Sequence, residues 1–430
     1  MNPMIQPTRR PSKRTLLALA LMGSLPLLQH NAQAQPALTL DPSAAQNAAL
    51  SQINDTPVVN IVAANAAGVS HNRFTEFNVG AAGLILNNST AGAQTTLGGA
   101  IAANSLLNGT SASVILNEVT GKTASSLNGM IEVAGPSARV IIANPNGITA
   151  SRAGFINANR VSLVAGTAVL DANGQVARLQ TDHGQIRVEG AGLDASGANE
   201  VDLVARTLQI NAQLQAKKLN AVALKGEVDA MDPTTVLKHL GADGKADIAI
   251  DVAQLGSMHA DSIRLLGKSA GVGVNVQGNV KALTGDLKVT ADGKVQIAST
   301  GVLDAKQALS IAGDLNNQGV LRNGGPLSLV GNINIQGPIH FGGTAGSVNN
   351  LKPGTIVTGG AAATGAQNGT GVVINRPIAS RPSYVVAPPV WSKPVVSYPA
   401  FNWSAYPSFA FNTATSLKQP TRILPQPRYW

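Results

Sequence analysis

Apolar and polar positions alternate in short runs along most of this chain. From residue 35 to about residue 337, runs of four to six residues alternate, as at residues 185–188 and 287–289, and Gly, Asn, Asp or Ser follows within a few residues. Alternation with a period of two is typical of strands that bury one face, and the residues that follow favour turns. The pattern therefore predicts many short strands separated by tight turns.

The stretch from residue 111 to residue 167 shows this pattern most clearly. Its β-branched runs at residues 113–116, 130–133 and 138–143 are each closed by Gly, Asn or Pro. Such runs predict three strands, because β-branched side chains fit a pleated surface and the closing residues favour turns. No helical spacing of apolar residues competes with them in this stretch.

A tight turn is predicted at the end of the third run, where the sequence reads Asn144-Pro145-Asn146-Gly147-Ile148. The first Asn can cap a turn through its side chain, Pro fixes its own φ, and the second Asn tolerates a left-handed conformation. Gly then continues the chain without a steric penalty. These residues favour a type I turn between two strands.

A loose repeat extends the pattern over the rest of the body. Gly, one variable residue and an apolar residue recur at positions 256, 278, 301 and 319, at intervals of 22, 23 and 18 residues. Periods of this size are typical of solenoids, and short strands with few aromatic residues favour a right-handed parallel β-helix. Repeated Asn can form ladders between coils. The candidates are Asn144, Asn146, Asn157, Asn159, Asn316 and Asn317.

Two segments have a separate role in this solenoid. Residues 36–80 are expected to cap the first coil, whose strand edges would otherwise be open. Residues 229–246 interrupt the strand pattern with Met231-Asp232-Pro233 and a short apolar run. Since Pro is favoured at the start of a helix, this segment predicts a short helix or a loop that projects from the β-helix.

Composition adds a targeting segment at the amino terminus. Residues 1–34 contain four basic residues, then a short apolar run, then a small-residue cleavage site with Ala32 and Ala34. This is the pattern of a secretory signal peptide, and the apolar run is too short for a permanent membrane span. We expect transient contact with the general secretory machinery. The pair Arg9-Arg10 makes a twin-arginine export signal the alternative.

The carboxyl-terminal part has a different composition. Residues 342–375 are rich in Gly, Ala and Thr, which predicts a flexible linker. Residues 376–430 hold ten Pro and ten of the fourteen aromatic residues, so regular strands and helices are not expected there. This basic tail either engages a surface, such as carbohydrate or membrane, or is a low-complexity end without a binding role.

The net charge of +9 is unevenly distributed. The signal peptide holds four Lys or Arg and residues 315–430 hold eight, both without Asp or Glu, which leaves residues 35–314 with a net charge of −3. A nucleic-acid partner is therefore not expected for the body. The chain contains no Cys, so no disulfide can lock it before its last translocation step, although many exported bacterial proteins simply lack Cys.

Several blocks in this chain resemble the secretion domain of the filamentous haemagglutinins, the exoproteins of bacterial two-partner secretion. The resemblance runs in order over about residues 36–335. Its blocks are VSHNRFTEFNVGAAGLILNN at residues 69–88, ILNEVTG at 115–121, SSLNG at 125–129, IEVAG at 131–135, IIANPNGI at 141–148, FIN at 155–157, GLDASGANEVDLVARTLQINAQLQAKKLNAV at 192–222 and IDVAQLGSMHADSIRLLG at 250–267.

The resemblance implies a fold, a partner and a location. It implies a β-helical secretion domain over residues 35–290, with further coils at residues 291–341. The partner would be an outer-membrane β-barrel transporter with a periplasmic recognition region. The chain would cross extended and fold outside a Gram-negative cell, as a secreted or surface-exposed adhesin for a receptor or glycan on a host or neighbouring cell. The turn at residues 144–148 would serve recognition by the transporter, folding, or both.

One block departs from the family pattern. The family has a second Asn-Pro-Asn-Leu turn before ILNEVTG, and this chain has Asn104-Ser105-Leu106-Leu107 there. Because the Pro that fixes φ is missing, we expect this second turn to be less rigid or differently shaped.

No constellation of catalytic or metal-binding residues is recognisable. The six His are scattered, and no metal or cofactor is expected; His71 should hydrogen-bond within the cap. Parallel β-helices include polysaccharide-active enzymes, but these need clustered acids, and the candidate Asp residues are spread out at positions 202, 251, 261 and 286. We therefore expect no enzyme. A β-helix enzyme and a short or truncated relative of a contact-dependent toxin-delivery exoprotein are the alternatives.

Overall fold

A computed structural model describes residues 38–240, 248–268 and 271–341, together with the backbone of residues 358–359. The chain divides into two units, Met1–Ala387 and Pro388–Trp430, and every described residue belongs to the first. The predicted signal peptide with Ala32 and Ala34, the tail and most of the predicted linker lie outside the described residues. Within the described part of the chain, no helix has the length and apolar character needed to cross a membrane.

Short strands make up most of the described chain, as the alternation predicts. The helical element in this part is a 3-10 helix at Ser105–Leu107. In chain order the strands are β1 Leu38–Leu40, β2 Ala49–Ile53, β3 Thr56–Asn60, β4 Val69–Phe77, β5 Leu84–Asn87, β6 Ala93–Thr95, β7 Gly99–Ile101, β8 Val114–Val119, β9 Ser125–Leu127, β10 Met130–Ala134, β11 Ala138–Ala143, β12 Ile148–Ile156, β13 Ala158–Val164, β14 Thr167–Leu170, β15 Val176–Thr181, β16 Gln185–Asp194, β17 Glu200–Ala205, β18 Thr207–Ile210, β19 Gln213–Gln215, β20 Lys218–Ala223, β21 Gly226–Asp229, β22 Val236–His239, β23 Ile248–Val252, β24 Ser257–Ala260, β25 Ser262–Gly267, β26 Val272–Val276, β27 Asn279–Ala282, β28 Leu287–Ile297, β29 Val302–Ala305, β30 Leu309–Asn317, β31 Val320–Asn323, β32 Leu327–Val330, β33 Ile333–Ile335, β34 Ile339–Phe341 and β35 Thr358–Gly359.

Twenty-nine of these strands form one sheet that winds into the coils of a parallel β-helix. Three faces recur in each coil, and apart from β1 and β2 each strand pairs in parallel with the strand one coil away. Face 1 contains β3, β5, β10, β19, β24, β27, β29, β31 and β34. Face 2 contains β4, β8, β11, β13, β17, β20, β25 and β32. Face 3 contains β9, β18, β23, β26 and β33.

Four long strands bend around a corner and so belong to two faces. Strands β12 and β16 run from face 3 to face 1, while β28 and β30 run from face 2 to face 3. The predicted parallel β-helix is confirmed. We expect the coils to turn right-handedly, because parallel crossover connections are almost always right-handed.

Coil length in the last part of the helix matches the repeat in the sequence. Leu303 pairs with Leu321, which pairs with Ile339, and each step is 18 residues. Gly256 and Gly278 lie at equivalent turns, where a Cβ on Gly278 would overlap the carbonyl oxygen of Gly256. The recurring Gly therefore allows backbone to approach backbone between coils.

The Asn ladders are only partly as predicted. Asn334 donates to Asn316 across one coil, at 2.9 Å, and Asn87 donates to Asn60 at 2.8 Å. Asn157 instead donates to the carbonyl oxygens of Val133 and Gly135, and Asn317 is fully buried without a hydrogen bond from either side-chain atom. Asn144, Asn146 and Asn157 therefore satisfy backbone groups at corners, whereas Asn316 forms a ladder as predicted.

The described residues form three apolar cores, and the two largest follow from this winding. The first fills the interior of the coils with inward residues such as Ile115, Val140 and Leu163. The second lies outside face 2 and contains Ile141, Val164, Leu179 and Val228 among its fully buried members. Face 2 is therefore buried on both sides over its middle coils.

A four-stranded antiparallel sheet covers this outer core, with strand order β14, β15, β21, β22. We call it the extra-helical sheet. Strands β14 and β15 lie between β13 and β16, and β21 and β22 lie between β20 and β23. The predicted insertion at residues 229–246 does project from the helix, but its described residues form strand β22 and turns rather than a helix, because β21 offers an edge for pairing. The insertion of β14 and β15 was not predicted.

The amino-terminal residues close the open edges of the first coil. Strand β1 pairs antiparallel with β4, and β2 pairs antiparallel with β3, whereas β3 and β4 already pair in parallel with later coils. Residues 38–53 therefore form the cap, which confirms that a cap is present in the predicted region.

One part of the predicted linker is ordered against the helix. Strand β35 pairs in parallel with β34, with His340 opposite Thr358. An exposed strand edge at the end of the coils provides the backbone groups for this pairing.

Candidate functional site

The turn at residues 144–147 lies at the corner between strand β11 on face 2 and strand β12, which begins on face 3. The amide of Gly147 donates to the carbonyl of Asn144 at 3.1 Å, which closes the turn. Asn146 donates its amide to the Asn144 side-chain oxygen at 2.9 Å, so the side chain caps the turn as predicted. Gly147, rather than Asn146, has the positive φ, at 114°.

Asn144 is the most constrained residue of this turn. It is fully buried, and its side-chain amide donates to the carbonyl of Thr123 and to the hydroxyl of Ser125, both at 2.9 Å. Its backbone amide donates to Val164 in the next coil at 2.9 Å. Asn144 therefore ties its own coil to the coils before and after it.

The remaining turn residues are positioned around Asn144. Asn146 is half-buried and donates its side-chain amide to the carbonyl of Gly121, at 2.9 Å. A Cβ on Gly147 would lie 2.8 Å from the carbonyl oxygen of Gln185, so only Gly fits there. Pro145 is half-buried, whereas Ile148 is buried in the interior core.

The second predicted turn has the same construction without Pro. Asn104 caps the 3-10 helix at Ser105–Leu107, since its side-chain oxygen accepts the amide of Leu106 at 3.0 Å. The amide of Leu107 donates to the carbonyl of Asn104 at 3.2 Å. The side-chain amide of Asn104 donates to the carbonyls of Ile61 and Asn87, both at 2.9 Å.

Loss of Pro therefore has not removed the turn. Asn104 has φ −83° and ψ 106°, the extended conformation that a following Pro would also require. This turn differs from the first in its last three residues. They form a 3-10 helix that buries Leu107 in the interior core.

The ILNEVTG block is connected to the cap through Asp41. Thr120 donates its hydroxyl to the Asp41 carboxylate at 2.8 Å, and Arg73 pairs with that carboxylate at 3.2 Å. Hydrogen bonds from the Ser43 hydroxyl and amide, and from Thr120, lower the pKa of Asp41 to about 2. His71 lies 2.8 Å from Glu118, so its hydrogen bond joins the predicted cap region to the ILNEVTG block rather than staying within the cap.

A buried charge cluster joins face 2 to the segment that follows β21 in the extra-helical sheet. Asp202 is fully buried and accepts two hydrogen bonds from Arg160, at 2.8 and 3.1 Å, and one each from Ser162 and Asn220, at 2.7 and 2.9 Å. Arg139 lies 3.6 Å from Asp202. A carboxylate with this many donors is fully satisfied in spite of its burial.

Arg139 connects this cluster to the extra-helical sheet. Its guanidinium donates to the carbonyl of Ala230 at 2.7 Å and to the hydroxyl of Ser162 at 2.9 Å. Burial and the neighbouring charge of Arg160 lower the pKa of Arg139 to about 10, so Arg139 stays charged at neutral pH. The cluster thereby links strand β11, which leads into the Asn144 turn, to the segment after β21.

Sequence reasoning missed this cluster for a physical reason. Asp202 stands within an apolar run and was considered only as a dispersed acid. The available signal was the run ARVIIA at residues 138–143, which is apolar except for Arg139 and shows no alternation. In the structure all six of these residues are buried. A strand buried on both faces needs a second layer, and a charge in that layer needs a partner.

The Asn turns, the cap and the charge cluster hold strands together through hydrogen bonds within the chain. Among the described residues, no group of three or more His, Cys, Asp or Glu is placed to hold a metal ion. Asp182 and His183 are exposed and 3.5 Å apart, and Lys225 lowers the pKa of Asp182 through a hydrogen bond. The structure brings the two Asn turns and the cap onto the first coils, beside the ILNEVTG block.

The family model of the TPS secretion domain matches residues 34–297, more than half of the chain. The chain belongs to this family. The expected class of two-partner secretion exoprotein is therefore confirmed. The TPS secretion domain covers the cap, both Asn turns, the charge cluster and the extra-helical sheet.

A solved structure supports the same assignment. The TPS domain of this chain is similar to the crystal structure of the filamentous haemagglutinin secretion domain, with a TM-score of 0.59 and 29% identity. The match covers 72% of this chain and 100% of that chain. The resemblance in sequence and the predicted fold are both confirmed by this likeness.

Curated relatives extend the comparison to longer proteins. Toxin CdiA of Yersinia pestis is 41% identical over 320 residues, which cover 73% of this chain and 10% of that protein. The 16S rRNA endonuclease CdiA of Enterobacter cloacae is 42% identical over 294 residues, covering 67% and 9%. This chain spans about a tenth of the length of the curated relatives it matches.

Proposed function

We propose that this protein is exported through a dedicated outer-membrane β-barrel transporter and acts outside the cell as a haemagglutinin-like adhesin. Membership of the TPS secretion domain family supports the export route. The observation that carries the proposal is the Asn144 turn, whose first residue is fully buried and bonded to three residues in two neighbouring coils. This turn is the part of the family pattern with the most demanding geometry.

The burial of Asn144 constrains when the transporter can recognise it. In the folded domain both side-chain atoms of Asn144 are engaged by this chain, so neither is available to a partner. Recognition of that side chain thus requires a chain that has not yet folded. The transporter's periplasmic region would bind the extended segment, and folding outside the cell would then bury it.

Stacking of the coils would favour outward movement of the chain during export. Each coil pairs with the coil before it, from the cap onward, so a chain that emerges from its amino terminus can fold coil by coil. The free energy released by each added coil opposes backward movement through the transporter. Export is expected to end at the cell surface or in the medium.

The proposal includes no catalytic role. Its support is that three of the four candidate acids bind groups within the chain: Asp202 lies in the charge cluster, Asp251 accepts a hydrogen bond from Asn275 at 2.8 Å, and Asp286 accepts the amide of Ala308 at 3.1 Å. No substrate-binding cleft with convergent acids is formed by these three residues.

Export is tested in a Gram-negative host with and without the transporter encoded beside this chain. The expected result is protein in the medium or on the surface only with the transporter. Protein that stays in the periplasm with its transporter present, or leaves equally well without it, would contradict the proposal.

The role of the turn is tested by comparing two variants. Asn144→Ala removes the side chain that the transporter would bind, whereas Ser125→Ala removes only one of its hydrogen-bond partners in the folded state. If recognition uses Asn144, the first variant loses binding to the isolated periplasmic region of the transporter and the second keeps it. Equal binding by both would assign the turn to folding alone.

A second candidate function is delivery of a toxin to neighbouring cells. The observation that favours it is the 41% identity to Toxin CdiA, although this chain spans a tenth of that protein. Cells displaying the chain, mixed with unprotected neighbours, distinguish the two functions. An adhesin increases attachment without slowing growth of the neighbours, whereas toxin delivery slows their growth.

A further inference from the structure

Strand β2 leaves one sheet edge of the cap open. It pairs antiparallel with β3, and among the described residues no other strand pairs with it. Four of its five residues are exposed. A strand edge of this kind presents backbone N–H and C=O groups that can pair with a further strand.

Pro57 determines which backbone groups of β2 point to the open edge. It lies opposite Gln52 and has no N–H, so these two residues form a non-hydrogen-bonded pair. Because hydrogen-bonded and non-hydrogen-bonded pairs alternate in an antiparallel ladder, Leu50 and Val59 form another such pair. The N–H and C=O groups of Leu50 and Gln52 therefore point away from β3.

The side chains of β2 carry none of the usual protections of an edge strand. Proteins commonly place Lys, Pro or a bulge on an exposed edge, which discourages pairing with another chain. The sequence of β2, ALSQI, contains no charged residue, Pro or Gly. Beside it lies a recess of about 240 Å³ whose lining includes Leu38, Leu50 and Pro57, and Leu50 is 42% exposed. The edge therefore offers both free backbone groups and apolar surface.

We propose that β2 pairs antiparallel with β2 of a second copy of this chain, about a two-fold axis at Ser51. The outward-pointing groups lie at Leu50 and Gln52, one residue on either side of that axis. Leu50 of each copy then lies opposite Gln52 of the other, and each of these pairs exchanges both of its N–H···O bonds. Such a contact is self-complementary, as a two-fold interface requires.

The lack of charge on β2 favours a second copy as the occupant. In a two-fold pairing, a charge at position 50 would become a diagonal neighbour of the same charge in the other copy. Strand β22, at an edge of the extra-helical sheet, contains Lys238 and is not suited to this contact. The pairing also continues face 1, because β5, β3 and β2 would be followed by β2 of the second copy.

The contact is small, so the dimer is weak. A strand of five residues spans about 17 Å, and stable complexes bury roughly 800 Å² on each partner. We expect a dissociation constant on the order of 0.1 mM. The inference is independent of export and adhesion, because it is tested on the purified full chain, residues 35–430.

Disulfide cross-linking tests the two-fold axis, since the chain contains no Cys. The two copies of Ser51 would form the central non-hydrogen-bonded pair, with Cα atoms about 4.5 Å apart, which is within disulfide range. Ser51→Cys should therefore form a covalent dimer under mild oxidation. Ser299→Cys, exposed in the turn between β28 and β29, is the control and should cross-link at least about tenfold more slowly. Equal rates would overturn the proposal.

Sedimentation velocity tests the strand itself. Leu50→Lys should raise the dissociation constant more than about tenfold, because the two Lys side chains would be diagonal neighbours. Leu237→Lys is the matched control, since Leu237 is 49% exposed on β22, and it should change the constant by less than about twofold. Both variants should keep the thermal midpoint. A chain that stays monomeric at about 1 mM, or a dimer that survives Leu50→Lys, would overturn the proposal.

Two variants of Gln52 separate backbone pairing from side-chain contact. Gln52→Pro removes an N–H that points to the open edge and breaks no bond to β3, so it should weaken the dimer about tenfold. Gln52→Ala keeps that N–H and should keep the dimer. Equal weakening by both variants would assign the contact to the side chain and overturn strand pairing.

Discussion

Asn104 and Asn144 begin two turns that are closed by the same hydrogen bonds, although only the turn after Asn144 contains Pro. In each turn the side-chain oxygen accepts the amide two residues later, and the carbonyl accepts the amide three residues later. In each, the side-chain amide donates to two acceptors in adjacent segments. The Asn, rather than the Pro, therefore defines the turn.

Ser105→Pro tests this relationship. Asn104 is already extended and Ser105 is the first residue of the 3-10 helix, so Pro fits there without losing an intrahelical hydrogen bond. We expect the free energy of unfolding to rise by about 0.5 kcal/mol, through a less flexible unfolded chain. Chemical denaturation measures the change.

Leu106→Pro is the matched control for that variant. It removes the amide that donates to Asn104 at 3.0 Å, so it should lower the free energy of unfolding by about 2 kcal/mol. A loss of stability in Ser105→Pro as large as in Leu106→Pro would show that the second turn does not have this geometry.

Asp202→Asn should destabilise the protein by about 3 kcal/mol, because Arg139 would lose the buried carboxylate 3.6 Å away and Arg160 would keep only Glu200, at 3.5 Å. Thermal unfolding measures the loss. Glu189→Gln also removes one negative charge, but the Glu189 side chain is 43% exposed and 3.8 Å from Arg187, so its effect should stay within about 0.5 kcal/mol. Similar losses in both variants would contradict the special role of Asp202.

Acid should weaken the cap through Asp41. Its pKa is lowered from 3.8 to about 2 in the folded protein, so its charged form stabilises the fold fully above pH 3.8. As the pH falls from 3.8 through about 2, that contribution is lost. Protection factors of the backbone amides in residues 38–53, which correct hydrogen exchange for its intrinsic pH dependence, should therefore fall in this range.

Asp41→Asn provides the comparison for the pH series. An amide does not titrate in this range. The protection factors of the cap amides in this variant should therefore be lower at neutral pH and should change less between pH 4 and pH 2. The same acid dependence in Asp41→Asn as in the unchanged chain would assign it to another carboxylate.

Gly278→Ala should destabilise the β-helix by about 2 kcal/mol, because its Cβ would overlap the carbonyl oxygen of Gly256 in the preceding coil. Gly80→Ala is the control, since a Cβ there has no neighbour within 4 Å. Urea titration of both variants tests whether the stability of the β-helix depends on the close approach of coils at Gly278 rather than on the number of Gly residues. Equal midpoints would refute it.

Much of the β-helix could be predicted from the sequence because its signals are local. The runs at residues 113–116, 130–133 and 138–143 became strands β8, β10 and β11 with small differences in their ends. The Asn144 turn is specified by four adjacent residues with defined backbone preferences. Such features do not depend on what packs against them.

The outer layer could not be predicted in the same way. Strands β14 and β15 resemble any other short alternating run, and their pairing with β21 depends on residues about 50 positions later in the chain. The partners of Asp202 likewise come from β13 and β20, which the sequence does not mark as neighbours. Long-range pairing of this kind leaves little trace in local sequence patterns.

If the chain emerges amino terminus first, the extra-helical sheet can be completed only after later strands have emerged. Strand β15 can pair with β14 at once, but its other edge must wait for β21, and the coil formed by β17 to β19 is completed in between. During that interval Leu179 and the outer side of β11 lack the cover that Val228 and Ala230 later provide. Residues 226–230 therefore complete the outer core of face 2 and add the Arg139–Ala230 hydrogen bond, so this outer core can form only after the interior core of the same coils.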